Sequence, residues 1–263
     1  MKTNGIITLL TDFGLADAYV GVMKGVMLHI NPALHCVDLT HQVPPQDIAT
    51  GAFQLQMAYP YFPQGTVHLA VVDPGVGSYR RAIALATDFG YCVGPDNGLF
   101  SRILQGRPAN IAIELDQSKF WRIANPSVTF HGRDIFAPVA AHIASGIDLN
   151  QMGTRIALDS LQQLPPLGYQ QTETGFSGHI QAIDHFGNLI TSIPQDCILP
   201  PHWTVYWANI AFPSGSHYGD AGVGQPVSVR GSHGWIELAL MGGNAAQQFE
   251  IHIGDRIELQ LKE

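Results

Sequence analysis

The chain is short of charge. Only 13% of its 263 residues are Asp, Glu, Lys or Arg, against 46% hydrophobic ones. That balance excludes a disordered polyelectrolyte and supplies ample apolar matter for a core. So sparse a charged surface also hints at cover by other subunits. What charge there is leans acidic, at a net −8, which argues against a nucleic-acid partner. No apolar run reaches the ~20 residues of a membrane span, so no membrane partner is expected. In the opening MKTNGIITLLTDFG, Asp12 interrupts the apolar run and no small-residue cleavage site follows, so it does not read as a signal peptide. Cysteine is scarce too. Cys36, Cys92 and Cys197 are far apart, with neither zinc spacing nor a disulfide framework, and a reducing cytoplasm is expected. There is no HExxH and no His/Cys cluster, so no metal is expected. Fixed-period repeats and low-complexity tracts are absent as well.

What is present reads as two regions, and the length suits one large domain or two smaller ones. Up to about residue 160, strand-like and helix-like segments alternate as a βα pattern demands. GIITLLT, ALHCVDLT and GTVHLAVVD read as strands. ADAYVGVMKGVMLHI carries Val20, Met23, Val26, Met27 and Ile30 at helical spacing, and a second helix, PQDIATGAFQLQMAY, is entered through Pro45. HGRDIFAPVAAHIASG reads as a turn and a helix with Ile135, Phe136, Val139 and Ile143 on one face. The stretch around 161–175 is rich in Gln, Pro and Gly and reads as a linker. Beyond it, at 176–263, short strands (GHIQAID, NLITSI, TVYWANIAF, QPVSVRG, WIELAL, RIELQL) alternate with turns. The fold class expected is an α/β N-terminal domain over 1–160 followed by an all-β barrel.

The tetrapeptide TDFG occurs at Thr11–Gly14 and again at Thr87–Gly90. A kinase magnesium site is not expected, because the eleven residues before Asp12 hold no glycine loop, strand lysine or catalytic loop of the kind such a site needs. The second copy lies between AIALA and YCVG and reads as a hairpin turn, with Gly90 supplying a positive φ, so Asp88 receives no role. The first copy ends a strand before a helix, where open α/β sheets bind ligands. In VVDPGVGSYRR, Asp73 closes a strand and Arg80 follows across a Pro-Gly turn; an ion pair there is either a structural staple or part of a site. In TFHGRD, His131 precedes Gly132 at a helix entry, where free N–H groups and positive potential gather. A structural histidine is equally at home there. Asp184, Phe186 and Asn188 of IDHFGN sit in a turn for which Asp and Asn are ordinary formers. Composition and spacing alone stop at a two-domain protein with a small-molecule site.

Taken together, TDFGLADAYVGVMKG, VVDPGVGSYRR, GPDNGLF, TFHGRDIFAP, IDHFGN and a terminal GNAA resemble, in content and order, the adenosine-forming S-adenosyl-L-methionine hydrolases, also called S-adenosyl-L-methionine hydroxide adenosyltransferases, relatives of the fluorinating and chlorinating enzymes. The resemblance runs from about residue 5 to the C-terminus. It implies hydrolysis of S-adenosyl-L-methionine to adenosine and L-methionine, with no cofactor and no metal. It also implies a homotrimer that holds the substrate between the N-domain of one subunit and the C-domain of its neighbour. The catalytic trio it implies is Asp73, Arg80 and His131, with Arg81 a near neighbour of the arginine position. Asp12 would take the ribose hydroxyls, and Asp17 and Asp184 the methionine end. Asn188 would read the adenine edge between Phe186 and Tyr218, with Asn244 and Ala245 completing the pocket. Ser232 lies in a turn resembling the carboxylate-binding stretch, where His233 departs from the arginine of the fluorinating relatives. Halide-using relatives carry serine where this chain has Gly132, so water is the expected nucleophile. A halogenase and a non-catalytic sensor of the same molecule are the alternatives.

Overall fold

The computed structural model describes residues 1–199 and 201–262. The chain divides into two compact units, Met1–Leu164 and Pro165–Glu263.

The first unit is a seven-stranded mixed sheet with helices on both faces. Its elements in chain order are β1 (Ile6–Thr11), α1 (Tyr19–Ile30), β2 (His35–Thr40), α2 (Ile48–Ala58), β3 (Val67–Val71), β4 (Ala82–Ala86), β5 (Tyr91–Pro95), α3 (Ser101–Gly106), β6 (Ile111–Glu114), α4 (Ala137–Ala144) and β7 (Thr154–Arg155). The strand order is β2-β1-β3-β5-β4-β6-β7. The first four run parallel, and β4, β6 and β7 each pair antiparallel with a neighbour. Alternation along the strands feeds two cores. Ile7, Leu9 and Leu69 pack under Met23, Met27, Val139 and Ile143. Leu10, Ala70 and Leu85 turn the other way, toward Ala52, Leu55 and Ile103.

Helix α2 begins at Ile48, later than Pro45, because the Asp47 carboxylate caps it by accepting from the Thr50 backbone N–H at 2.9 Å. The second TDFG is a hairpin turn, with Ala86 opposite Tyr91. Gly90 does not supply a positive φ there. Space is what demands glycine: a Cβ would stand 2.8 Å from the Thr66 carbonyl oxygen. The short α3 and β6 carry too little periodicity to be read from sequence.

The second unit is an antiparallel sheet that almost closes into a barrel. It comprises β8 (Gln170–Gln171), β9 (Gly175–Ile183), β10 (Leu189–Pro194), β11 (Trp203–Trp207), β12 (Ile210–Pro213), β13 (Pro226–Arg230), β14 (Trp235–Leu240), α5 (Ala245–Phe249) and β15 (Arg256–Leu261). The path is β12-β11-β15-β9-β10-β14-β13, with β8 pairing on β9. A bridge between Ser214 and Ser228 brings the two ends of the path toward closure. Its core centres on Trp203, Phe212, Leu189 and Leu238.

Candidate active site

In the first unit Asp12 and Asp73, two of the candidate residues, lie beyond the carboxyl ends of β1 and β3, where an open α/β sheet leaves backbone free to meet a ligand. A cleft of about 870 Å³ lies at the other end of those strands, lined by Met1, Asn31, Tyr91 and Ser145, and holds none of the predicted site residues.

The loop after β3 folds back at Gly77, whose φ is +77° and whose missing Cβ would collide with the Val128 carbonyl oxygen. That close approach lays VVDPGVGSYRR against the segment leading to His131. Arg80 Nε donates to Asp73 Oδ1 at 2.8 Å and Oδ2 at 3.0 Å, and its Nη2 donates to Oδ2 as well. The same Nη2 donates to His131 Nδ1 at 2.8 Å. The ion pair is desolvated, its side chains 5% (Asp73) and 9% (Arg80) exposed, and the guanidinium rests over the Phe136 ring. Arg81 is not the arginine of the trio: it pairs with Asp96 at 2.5 Å and reaches Ser160.

An arginine can only donate, so His131 Nδ1 must accept, and the neutral ring carries its hydrogen on Nε2. Burial and the Arg80 charge both push the His131 pKa down, which keeps the ring neutral. Gly132–Phe136, directly after it, is a π-helical turn, with the Ala137 N–H bonded to the Gly132 carbonyl. Such turns are rare and recur at functional sites. Asp134, fully buried, anchors this turn. It accepts from Arg122 Nε, Arg133 Nε and Arg133 Nη2 at 2.7 Å each, and from the Ser127 N–H at 2.9 Å. Burial alone would raise its pKa, but the Arg133 and Arg122 hydrogen bonds outweigh it and hold the carboxyl well below the usual range. The sequence reading gave Asp134 no role; its signal was the adjacent Arg133–Asp134 pair at the entry to an apolar helix.

Phe13, Tyr19 and Phe130 meet edge to face, at 5.2–6.0 Å between centroids, and so join the Asp12 turn to the residue before His131. Gly132 lies among Met23, Phe130 and Phe13, with 3.2–3.4 Å left for a Cβ. Asp17 is exposed and has no partner among the described residues.

The second unit assembles its own cluster. Asp184 organises the β9–β10 turn: Oδ1 accepts the Phe186 and Asn188 N–H groups at 2.9 and 2.8 Å, and Oδ2 accepts Asn188 Nδ2 at 3.0 Å. The carboxylate can only accept, so the Asn188 amide is oriented with its carbonyl Oδ1 left to bind something else. Gly187, at φ +83°, has no room for a Cβ because the Asn244 side chain fills that space. Asn244 caps α5 through Gln247 N at 2.7 Å, ahead of buried Ala245. Phe186 stands 71% exposed beside this turn.

Tyr218 Oη donates to Glu237 Oε1 at 2.6 Å, and His233 Nε2 donates to Oε2 at 2.9 Å. Burial, then the bond to Glu237, raises the Tyr218 pKa. His233 Nδ1 accepts from the Trp235 N–H at 3.2 Å. Both His233 nitrogens are thus committed, and the ring has none to spare for a ligand carboxylate. Glu237, only 4% exposed, went unread in the sequence; its signal was one acid inside the apolar strand WIELAL. Ser232 is exposed, with no partner among the described residues. No group of three or more His, Cys, Asp or Glu among the described residues could hold a metal ion, and no helix there is long and apolar enough to cross a membrane.

Comparison with known proteins agrees over both units. Residues 7–153 match the family model for the SAM hydroxide adenosyltransferase N-terminal domain, and residues 178–258 that for its C-terminal domain. A Salinispora tropica protein named (R)-S-adenosyl-L-methionine hydrolase is 40% identical, over 96% of this chain and 97% of its own. A fluorinase from Actinopolyspora mzabensis is more distant, 28% identical over 95% of each chain. Among solved structures, an uncharacterized conserved protein from Thermotoga maritima superposes with a TM-score of 0.90 at 36% identity, over 97% of this chain and all of that one.

Proposed function

The chain belongs to the SAM hydroxide adenosyltransferase family, and from that premise we infer that it hydrolyses S-adenosyl-L-methionine to adenosine and L-methionine. The observation that carries the mechanism is the continuous Asp73–Arg80–His131 hydrogen-bonded trio.

The reaction needs little acid chemistry, because methionine leaves the ribose C5′ as a neutral thioether. It needs a water stripped of bulk solvent and aimed behind the C5′–S bond, about 3–3.5 Å from carbon. Water plus the sulfonium cation then gives adenosine, methionine and one proton. Arg80 has Nη1 free of any protein partner among the described residues, and His131 has Nε2–H; both are donors to the water oxygen. Asp73 Oδ1 takes only one bond from Arg80 and keeps a lone pair for a water hydrogen. In this arrangement His131 holds the oxygen and does not take its proton, since a base at Nε2 would require a hydrogen on Nδ1, facing the Arg80 N–H. The guanidinium field favours hydroxide character, and Asp73 directs it.

For the substrate, Asp12 takes the ribose cis-diol, and Asp17 the methionine ammonium. Asp184 sits near the methionine end and orients Asn188, whose free carbonyl oxygen accepts from the adenine amino group. Phe186 and Tyr218 wall the base, with Asn244 and Ala245 behind it and Ser232 toward the methionine carboxylate. We assign the complete site to a homotrimer, one subunit's first unit meeting a neighbour's second. Support comes from apolar side chains exposed around each half, among them Leu15, Tyr79, Val128 and Phe186. No cofactor enters the scheme, and its place is the cytoplasm. The relatives' name specifies the (R) sulfonium, and we extend that preference to this chain.

The test is incubation of the pure protein with S-adenosyl-L-methionine, with and without chloride, following products by chromatography. Adenosine formed independently of halide is the expected result. A 5′-halogenated nucleoside would make it a halogenase, and bound but intact substrate a sensor.

A further inference from the structure

The loop from His41 to Asp47, between β2 and α2, received no role in the sequence reading, yet it is fastened to the Asp12 turn at several points. The Gly14 N–H donates to the His41 carbonyl at 2.7 Å. His41 Nδ1 and Thr11 Oγ1 are 2.8 Å apart, and both side chains are buried, His41 to 3% exposure. The Gln46 N–H donates to Asp12 Oδ2 at 2.8 Å. Gln46 makes that bond from a left-handed backbone, φ +67°, a conformation that costs a non-glycine residue energy and concentrates at functional sites.

The polarity of this network is fixed at one end. His41 Nε2 lies 3.0 Å from Asp38 Oδ1. The ring N–H points off the line to that oxygen, so the contact is more electrostatic than a hydrogen bond. Asp38 Oδ2 is in turn held by Lys24 Nζ at 2.6 Å. A carboxylate favours the tautomer with hydrogen on Nε2, in which Nδ1 accepts the Thr11 hydroxyl. Thr11 Oγ1 then keeps its lone pairs for the Phe13 N–H at 3.2 Å. Hydrogens run one way, from Phe13 to Thr11 to His41, and the far side of the ring faces the Asp38 charge. On Asp12, Gln46 occupies one lone pair of Oδ2 and leaves Oδ1 open.

We propose that His41, oriented by Asp38, is a positioning residue for recognition of the ribose diol: it fixes the Thr11–Gly14 turn so that the Asp12 carboxylate is preset for two vicinal hydroxyls. The proposal rests on the reading that Asp12 grips the ribose. A vicinal diol is matched only by a carboxylate held at one angle; a loosened turn still binds a nucleoside but no longer distinguishes one hydroxyl from two.

Dissociation constants for adenosine and 2′-deoxyadenosine, measured by calorimetry on the full chain, test this. A hydrogen bond to a charged group is worth about 10–100-fold, so the wild type should prefer adenosine by that order. Asp12→Asn should abolish most of the preference. His41→Leu should cut it to within about threefold of the Asp12→Asn value, by weakening adenosine more than the deoxynucleoside. His41→Asn, which can return an acceptor to the Nδ1 position, should restore it. Asp38→Asn, at a half-exposed position, should shift the ratio in the same direction and serves if His41→Leu does not fold. If Asp12→Asn erases the preference while His41→Leu and Asp38→Asn weaken both ligands equally, His41 is merely structural and the proposal is overturned. If Asp12→Asn leaves the preference intact, the ribose reading itself fails and the proposal falls with it.

Discussion

Asp73→Asn is the sharpest test of the trio, because it separates what the carboxylate does for the fold from what it does for the reaction. The change keeps shape and removes one charge. In the native site the carboxylate accepts Arg80 Nε at both oxygens and Nη2 at one, and the pair is almost fully desolvated. An asparagine can turn only its carbonyl to those donors; its amide hydrogens would face the guanidinium. Removing one partner of a buried pair costs about 3–5 kcal/mol, chiefly because the remaining charge is stranded. Denaturant unfolding of Asp73→Asn should show a loss of that order. Replacing both partners by apolar groups, in a double variant Asp73→Leu/Arg80→Met, should recover most of the stability, since loss of a whole buried pair is often near neutral.

Activity should follow the opposite rule. Without the acceptor at Oδ1, the water is neither aimed nor relieved of its proton, and a positioned acid–base group is worth about 10²–10⁴-fold. Single-turnover formation of adenosine should fall by that factor in Asp73→Asn and should not return in the double variant, while the adenosine dissociation constant changes little. A folded Asp73→Asn protein turning over within about tenfold of the wild type would refute the role assigned to the carboxylate. A stability loss under about 1 kcal/mol would show instead that the pair is solvated and worth no more than a surface bridge.

The pH profile reports on His131. Its pKa is depressed by burial and by Arg80, so kcat/KM should hold at neutral pH and fall on the acid side, with a midpoint below the ordinary ~6.5 of histidine, since protonation puts an N–H on Nδ1 against the Arg80 N–H. A midpoint above that value would contradict the accepting Nδ1. The buried His68, bonded through Nδ1 to Thr8 at 2.8 Å, is pushed by burial down to about 4. The unfolded chain therefore binds a proton first, and about 3 kcal/mol of stability should be lost as pH falls from ~6.5 toward 4. Denaturant midpoints at pH 7 and 4.5 check this, and a Thr8→Val/His68→Phe variant should flatten the difference. Gly132→Ser places a side chain where Met23, Phe130 and Phe13 leave 3.2–3.4 Å; because the thioether can move, the cost should lie near the low end of the about 1–3 kcal/mol usual for overpacking, read from the unfolding midpoint.

What could be read from the sequence was what neighbours in the chain decide. Asp73 and Arg80 face each other across one rigid turn, and the strands and long helices announce themselves by period. Spacing alone does not separate Arg80 from Arg81, and only the resemblance chose Arg80; in the fold Asp96 and Ser160 claim Arg81 from 15 and 79 residues away. Asp134 and Glu237 were missed because nothing in the sequence marks an acid as buried, and its worth depends on donors the fold brings to it, such as Arg122 for Asp134 and Tyr218 for Glu237. The histidines show the limit most plainly. His131, His41, His233 and His68 are one residue type in four settings, and nothing adjacent in the chain separates them. Their roles follow from partners of fixed polarity. Arg80 can only donate and so makes His131 Nδ1 an acceptor. Asp38 and Glu237 can only accept and so draw the hydrogen to Nε2 of His41 and His233. Thr8 can do either and leaves His68 undetermined by geometry, so burial alone makes it neutral. Of the four, only His131 is not buried or bonded at both ring nitrogens: His41 and His68 are buried, and His233 is bonded at both. The His131 Nε2–H is accordingly the histidine donor on which the assignment of the nucleophilic water depends.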